Sequence, residues 1–235
     1  MSTPTTPSDR ANGAPSDRAA VRRIPEKAAY DREVIDAILD EALYCHLGFV
    51  YEGSPVVIPT IHARHEDVVY IHGSAGSRML KHLRGGFEAC LTVTILDGLV
   101  LARSVFEHSM NYRSVMVLGP AREVTDRDEK MAALERVSDH VAPGRWRDAR
   151  GPAPSELDKT RVLAMSLGET SAKVSTGPPE DLEDDYALDC WAGVIPLELV
   201  PGGLVPDPRL LPGITAPDDL TAYADPAGRF RSPKP

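Results

Sequence analysis

Stretches rich in apolar and β-branched residues, each bounded by turn signals, run through most of this chain. Such stretches are typical of β-strands. They predict strands over 45–51, 54–63, 67–72, 88–96, 99–108, 113–124, 161–167 and 191–199. The pairs Glu52-Gly53 and Asp97-Gly98 lie between consecutive stretches, where they predict tight hairpin turns.

A spacing of three to four residues between apolar side chains predicts two longer helices. The first would begin at Asp31 and bury a stripe made of Val34, Ile35, Ile38, Leu39, Ala42 and Leu43. The second would begin at Thr125 or Asp126, with Glu129 completing a possible capping box. Its apolar stripe would consist of Met131, Leu134, Val137 and Val141. A short helix is also predicted over 77–83.

The order of these elements predicts the fold class. Most strands follow one another through short turns, without the alternation of strand and helix that marks a doubly wound parallel sheet. A Gly-x-Gly-x-x-Gly motif does not follow the first strand. The sequence therefore predicts a mainly β fold, an antiparallel barrel of six or seven strands with peripheral helices.

Composition divides the chain into three parts. Residues 1–22 are rich in Ser, Thr, Pro, Ala and Asp, and we expect a disordered tail there. Residues 23–200 would form the folded domain. Residues 201–235 are rich in proline but carry scattered apolar side chains, which predicts an irregular arm lying on the body or on a partner subunit.

Charge and cysteine content exclude several classes of partner. The net charge of −9 and pI near 5.3 argue against a nucleic-acid surface. No apolar run is long enough to span a membrane and no signal peptide begins the chain, so we expect a cytoplasmic protein. Cys45, Cys90 and Cys190 are widely spaced, which predicts inert thiols and no metal site.

The segment from Tyr70 to Leu80 is the most specific feature of the sequence. A β-rich run ends in a Gly/Ser turn, and a short helix begins with Ser77 and Arg78. Free backbone N–H groups, a hydroxyl and a guanidinium suit a phosphate. The segment therefore predicts an anion site where this strand meets the helix.

Several motifs together resemble the pyridoxamine 5′-phosphate oxidase-like, FMN-binding split-barrel proteins, and most closely the flavin-nucleotide-binding or nitroimidazole-resistance-like branch. The motifs cover residues 25 to about 200 in the family's order. They are Tyr44-Cys45-His46-Leu47, Ile58-Pro59-Thr60, Tyr70-Ile71-His72-Gly73-Ser74-x-x-Ser77-Arg78, Leu96-Asp97-Gly98-Leu99-Val100, Asn111-Tyr112-Arg113-Ser114-Val115, Ser171-Ala172-Lys173 and Trp191-Ala192-Gly193.

The resemblance implies a six-stranded split barrel that forms a homodimer with two FMN sites at its interface. The residues it assigns to cofactor binding are Ile58, Pro59, Thr60, His72, Gly73, Ser74, Ser77, Arg78, Met79, Arg113, Ser114, Lys173 and Trp191. Met79 stands where the oxidases have a lysine, so the phosphate site has one cation fewer. A histidine at the position of His72 has a catalytic or covalent role in nitroimidazole-resistance-like relatives.

One departure from the family argues against pyridoxamine or pyridoxine phosphate as the substrate. The oxidases carry cationic residues after the tryptophan, whereas this chain has only apolar and acidic residues over 194–199. The expected function is therefore an FMN-dependent oxidoreductase that uses a small-molecule electron donor and acceptor. The alternatives are a non-catalytic carrier or sensor of flavin, haem or deazaflavin, and a haem-degrading protein on the same barrel. His108 is a further candidate for lining a pocket.

Overall fold

The computed structural model of the chain describes residues 13–224. In chain order its elements are β1 (Ala28–Ala29), α1 (Arg32–Glu41), β2 (Cys45–Tyr51), β3 (Ser54–Thr60), β4 (His62–His65), β5 (Val68–Ser74), α2 (Arg78–Leu83), β6 (Gly85–Leu101), β7 (Ser109–Glu123), α3 (Arg127–Val141), α4 (Arg145–Asp148), α5 (Pro154–Lys159), β8 (Thr160–Ser166), β9 (Thr170–Ser175), β10 (Gly193–Pro196) and α6 (Asp218–Tyr223). Single 3-10 turns cover Pro25–Lys27, Val105–Glu107 and Glu183–Ala187.

The described strands form one antiparallel sheet. The main path runs β3-β2-β6-β7-β8-β5-β4, while β9 pairs with β7, β1 with β9 and β10 with β6. The two ends of the path, β3 and β4, are separated in the chain by Ile61 alone, so the sheet curls back on itself. The prediction of a mainly β, antiparallel split barrel with peripheral helices is confirmed, although four more strands are present than the six of the expected barrel.

The core lies inside the curled sheet and beneath α1. Ile38 and Leu39 of α1 pack against buried side chains of β2, β6 and β7, among them Leu47, Val93 and Val117. A second, smaller cluster lies between α3 and the outer side of β5 and β8. Burial of these apolar surfaces is the main source of stability for the sheet.

The predicted hairpin turn at Asp97-Gly98 is wrong, because β6 continues through both residues to Leu101. The β6–β7 register shifts between Leu96 and Gly98, so Asp97-Gly98 marks a β-bulge. A Cβ atom at Gly98 would lie 3.0 Å from Val194 Cγ1 and 3.1 Å from the Ile195 carbonyl oxygen. Glycine is therefore needed here for the close approach of β10.

Other sequence predictions differ from the structure in detail. The predicted strand over 54–63 is divided into β3 and β4, and the one over 99–108 ends at Leu101. Both predicted longer helices are present as α1 and α3, and Asp126 accepts a hydrogen bond from the backbone N–H of Glu129 at 2.8 Å. The capping residue predicted for α3 is therefore confirmed as Asp126.

The two predicted terminal segments lie partly outside the described residues. Within the first, residues 13–22 contact the body: the guanidinium of Arg18 binds the carboxylates of Glu88 and Glu169. Within the second, residues 201–224 include α6, which Arg147 joins to α4 through Asp219 at 2.7 Å. Among the described residues, no helix combines the length and the apolar character that crossing a bilayer requires.

His62 is a buried histidine that begins β4 and faces the end of α1. Its Nε2 lies 2.9 Å from the carbonyl oxygen of Leu39, and its ring centroid is 5.0 Å from that of His140. Burial, reinforced by the nearby His140 ring, lowers the pKa of His62 to about 4. His62 therefore remains neutral in the folded protein at pH values where an unfolded chain would protonate it.

We expect this histidine to make the protein less stable as the pH falls from about 6.5 to 4. The unfolded chain binds more protons than the folded one in that window, so the free energy of unfolding should fall by up to roughly 3 kcal/mol. Urea denaturation at several pH values measures the slope. His62→Gln retains an N–H donor but does not titrate, so its slope should be flatter; an equal slope would contradict the assignment.

Candidate functional site

The segment that joins β5 to α2 forms a tight corner. The Oγ of Ser77 accepts a hydrogen bond from the backbone N–H of Leu80 at 3.5 Å, which makes Ser77 the N-cap of α2. Ser74 accepts from the backbone N–H of Gly76 at 3.1 Å. A Cβ at Gly73 would lie 3.1 Å from Leu80 Cδ1, so glycine lets α2 pack against the end of the strand.

Arg78 is the cation of this corner. Its side chain is exposed, and its Cζ atom lies 5.1 Å from the centroid of the Tyr51 ring at the end of β2. No carboxylate of the described residues pairs with it, whereas nearby arginines such as Arg84 and Arg161 both contact Glu123. The ring contact holds the guanidinium in place while leaving its N–H groups free for an anion.

An aromatic shelf, defined as Tyr51, His82 and Phe87, continues from Arg78. The centroids of Tyr51 and His82 are 5.2 Å apart, and the rings of His82 and Phe87 stack at 4.3 Å with an angle of 6°. The sheet register explains the grouping: Phe49 pairs with Ala89, and Tyr51 and Phe87 each lie two residues beyond that pair, at the same end of the β2–β6 ladder. The Nε2 atom of His82 is buried without a hydrogen-bond partner among the described residues.

His72 lies at the end of β5, opposite the buried Val162 of β8. Its side chain is half-buried, and its Nδ1 has no hydrogen-bond partner among the described residues. Burial lowers the pKa of His72, so the imidazole is neutral near pH 7. A neutral ring with an unsatisfied nitrogen is suited to a ligand, because an unpaired buried polar atom is otherwise costly.

The predicted residues of β3 lie close to this strand end. Thr60 ends β3, β4 begins after Ile61, and His62 pairs with Ile71, the neighbour of His72. The chain therefore passes from Ile58, Pro59 and Thr60 into β4 beside the end of β5. Met79 differs, because its side chain is buried in the core, so a contact between Met79 and a phosphate would come from its backbone.

Arg113, Ser114 and Lys173 form a separate group on β7 and β9, where Ser114 pairs with Lys173. Arg113 pairs with Ile95 of β6, and the eight residue steps from Phe87 to Ile95 correspond to about 26 Å of strand. Lys173 donates to the carbonyl oxygen of Arg23 at 3.0 Å. One chain therefore does not bring this group to the α2 corner.

Arg113 makes a network with two carboxylates. Its Nη1 and Nη2 bind Glu41 at 2.5 and 2.8 Å, and its Nε and Nη2 each lie 2.9 Å from an oxygen of Asp97. These hydrogen bonds, that to Glu41 foremost, raise the pKa of Arg113. The network joins the end of α1 to β6 and β7, so Arg113 has a clear structural role.

Trp191 lies just before β10, and 66% of its surface is exposed. A Cβ at Gly193 would lie 2.9 Å from its ring, so the indole folds over the start of β10. Large aromatic rings are normally well buried. Trp191 is therefore a large aromatic side chain that the described residues leave mostly uncovered.

A cavity of about 440 Å³ lies at the other end of the sheet, between the N-terminal turn, the end of β6 and the start of β7. Its lining is mainly polar: Arg23 and Lys27 add cations and Glu107 and Glu180 add carboxylates, while Val100 and Phe106 are among its few apolar members. Its remaining lining includes His108, whose Nε2 lies 3.2 Å from the carbonyl oxygen of Ala102. Because a carbonyl accepts only, Nε2 carries the proton and Nδ1 keeps its lone pair.

Sequence reasoning missed three contributors to these sites. Tyr51 supports Arg78, Arg161 donates to the Ala75 carbonyl oxygen at 2.9 Å and so holds the corner, and Glu41 pairs with Arg113. Each lies far along the chain from its partner, and the sequence carries no local signal for such contacts. Within residues 13–224, no three His, Cys, Asp or Glu side chains converge to hold a metal ion.

Comparisons with known proteins agree with this architecture. The family model for pyridoxamine 5′-phosphate oxidase matches residues 31–174. The flavocytochrome Anf3 from Azotobacter vinelandii is 43% identical, with a TM-score of 0.85, and the match covers 89% of this chain and 98% of Anf3. The FAD and haem binding protein from Mycobacterium smegmatis is 36% identical, with a TM-score of 0.81, covering 84% of this chain and 97% of that one.

A more distant match shares the fold alone. A candidate 5-nitroimidazole antibiotic resistance protein from Bacteroides thetaiotaomicron is 24% identical, with a TM-score of 0.51, and covers 63% of this chain and 86% of its own. The search of curated proteins returned no match. The family model and the two well-aligned structures confirm the resemblance found in the sequence, and the chain belongs to the pyridoxamine 5′-phosphate oxidase family.

Proposed function

We propose that this protein is a redox protein that binds both a flavin and a haem, and that it acts as a flavin-dependent oxidoreductase on a small-molecule donor and acceptor. The observation that carries the proposal is its similarity, over more than four fifths of the chain, to a flavocytochrome and to a FAD and haem binding protein. The cationic corner at α2 and the cavity beside His108 support it independently.

The residues of the α2 corner fit a flavin phosphate. Arg78 offers N–H groups that no carboxylate of the described residues occupies, and Tyr51 limits the motion of the guanidinium. Ser77 has a hydroxyl hydrogen to donate, since its oxygen accepts from Leu80. At Gly73 and Ser74 the backbone itself could come close to the phosphate. This is the donor set that a phosphate ester of riboflavin, FMN in the simplest case, would require.

The cavity beside His108 fits a haem. Its volume is within the range of sites for organic cofactors, and its mainly polar lining includes Val100 and Phe106 for ring contacts and two cations for the propionates. His108 presents Nδ1 as an iron ligand because Nε2 is already bound to a carbonyl, an arrangement common among metal-binding histidines. The seven histidines of the chain include others, but His108 is the one that lines this cavity.

The protein's contribution to the chemistry is binding, orientation and exclusion of water. A flavin supplies hydride acceptance and stepwise electron release, and a haem supplies single-electron chemistry. His72, neutral and with an unsatisfied nitrogen, would hold a proton or a hydrogen bond at the edge of the flavin. Ile58, Pro59 and Thr60 would present backbone groups to the ring system.

A homodimer would complete the flavin site. Arg113, Ser114 and Lys173 lie far from the α2 corner of their own chain, and Trp191 is exposed. A second copy would bring this group to the flavin and cover the indole. The exposed side chains of Val50 and Val57 on β2 and β3 provide apolar surface for such an interface.

The absorption spectrum of the protein purified without added cofactor tests the proposal. We expect two broad flavin bands and a sharp Soret band, with bleaching of the flavin bands on mixing with NADH or NADPH. Mass spectrometry of the released ligands identifies them and separates a flavin from a deazaflavin. Bound flavin that neither nicotinamide reduces would favour the carrier or sensor alternative, and a protein that retains neither cofactor would contradict the proposal.

Replacing Arg78 by alanine should weaken FMN binding by about 1.5–3 kcal/mol, the usual contribution of a hydrogen bond to a charged group. Flavin fluorescence titration measures the affinity. Riboflavin lacks the phosphate, so its affinity should be unchanged. Arg84→Ala serves as the matched control, because Arg84 lies at the other end of the same helix and is engaged with Glu123. Equal FMN affinity in Arg78→Ala and the unmodified protein would remove Arg78 from the site.

A further inference from the structure

The ring of Phe87 is presented to solvent as a flat aromatic surface. One face stacks on His82 at 4.3 Å, and 53% of the residue remains exposed. The ring continues an ordered series of contacts that begins at Arg78 and passes through Tyr51 and His82. The shelf is therefore continuous with the phosphate corner.

Local backbone geometry maintains the position of Phe87. A Cβ at Gly85 would lie 2.9 Å from Phe87 Cε2 and 3.3 Å from the His82 carbonyl oxygen, so a side chain there would displace the ring. Gly86 has a φ of 79°, a conformation that favours glycine. Two adjacent glycines thus allow the chain to leave α2 and return the Phe87 ring onto His82.

Two cations of α2 lie beside the shelf: Arg78 and Lys81 pair with no carboxylate of the described residues. Arg84, the C-cap of α2, is paired with Glu123, and Glu88 beside Phe87 is bound by Arg18 at 2.6 Å. A ligand that extends from Arg78 onto Phe87 therefore meets cations followed by an aromatic face, which suits a second phosphate followed by a planar base.

We propose that the aromatic shelf of Tyr51, His82 and Phe87 is a binding subsite for the adenine nucleotide half of the flavin, so that the protein selects FAD over FMN. The inference rests on the proposed function, which sets the flavin phosphate on Arg78. The second phosphate lies among the cations of α2, and the adenine stacks on the free face of Phe87. The isoalloxazine and its own contacts are the same for both flavins.

Competition between the two flavins tests the inference in the full-length protein. The protein is incubated with equal concentrations of FAD and FMN and desalted, and the retained flavins are separated by chromatography. We expect FAD to exceed FMN at least tenfold. Phe87→Ala should lower the FAD:FMN ratio by about 10- to 100-fold, the range expected for loss of one base-stacking contact, while the protein still retains FMN.

Two further variants make the result specific to the shelf. Gly85→Ala keeps the phenylalanine but displaces its ring, so its ratio should also fall. Tyr186→Ala is the matched control. Tyr186 is an exposed aromatic residue in another part of the fold, and the Cζ atom of Arg103 lies 4.8 Å from the centroid of its ring. Its ratio should equal that of the unmodified protein.

The outcomes separate this inference from the proposed function. A ratio near one in the unmodified protein, or an unchanged ratio in Phe87→Ala, would overturn the adenine subsite while leaving flavin binding intact. An equal loss of both flavins in Phe87→Ala would also overturn it, since Phe87 would then support the common part of the site. Retention of neither flavin by the unmodified protein would instead contradict the proposed function itself.

Discussion

Replacing His108 by alanine is expected to abolish haem binding while flavin binding persists. His108 is the histidine that lines the 440 Å³ cavity, and its bond to the Ala102 carbonyl oxygen fixes the tautomer that leaves Nδ1 available. Loss of even an outer partner of a metal-binding histidine costs about 10–100-fold in affinity, so loss of the ligand should cost at least as much. The Soret band should therefore disappear at equimolar haemin.

The spectrum of each variant after addition of haemin measures this effect. His65→Ala is the matched control, because His65 lies on β4, at one end of the sheet path, and does not line the cavity. Added imidazole should restore a Soret band in His108→Ala, since a free ring can occupy the space that the side chain leaves. An unchanged Soret band in His108→Ala would remove His108 from the iron, and failure of imidazole to restore it would indicate a structural role.

The α2 corner illustrates which functional features local sequence can predict. Gly73, Ser77 and Arg78 lie within six residues, and a strand end, an N-cap and a first-turn cation are all local properties. Their side chains are close in space because they are close in the chain. The mainly β architecture was predictable for the same reason, because strand-like runs and the turn residues that separate them are local features of the sequence.

Contacts between distant segments were not predictable in this way. Tyr51 lies under Arg78 because the β2–β6 register and the position of α2 combine, and no residue near Tyr51 signals either one. The hairpin predicted at Asp97-Gly98 failed for a related reason. Asp97-Gly98 has the usual composition of a turn. The close approach of β10 and the hydrogen bond that Arg113 donates to Asp97 are tertiary contacts that outweigh this local preference.

The distance between the two groups of predicted cofactor residues has a consequence for the assembly. The family resemblance implies that Arg113, Ser114, Lys173 and the α2 corner share one flavin. In a single chain, however, about 26 Å of β6 separates Ile95, the partner of Arg113, from Phe87 near the end of α2. Both statements hold together if two chains share each site. This geometry and the family resemblance both support the homodimer in our proposal, in which a second copy would cover Trp191.

Replacing Arg113 by methionine should destabilise the protein by about 3 kcal/mol, because it would leave Glu41 and Asp97 largely buried and facing each other without a cation. Urea denaturation measures the free energy of unfolding. Arg122→Met is the matched control on the same strand; its pair with Glu129 is more exposed and should contribute less than about 1 kcal/mol. Adding Glu41→Gln to Arg113→Met should recover part of the loss.

The same variants distinguish the two roles that sequence and structure assign to Arg113. A residue that mainly ties α1 to β6 and β7 lowers stability when removed, and flavin affinity follows only through the population of folded protein. A residue that mainly contacts the flavin of the partner chain lowers affinity at unchanged stability. If Arg113→Met unfolds at the same urea concentration as Arg122→Met yet loses flavin, the network is incidental and the arginine belongs to the cofactor site.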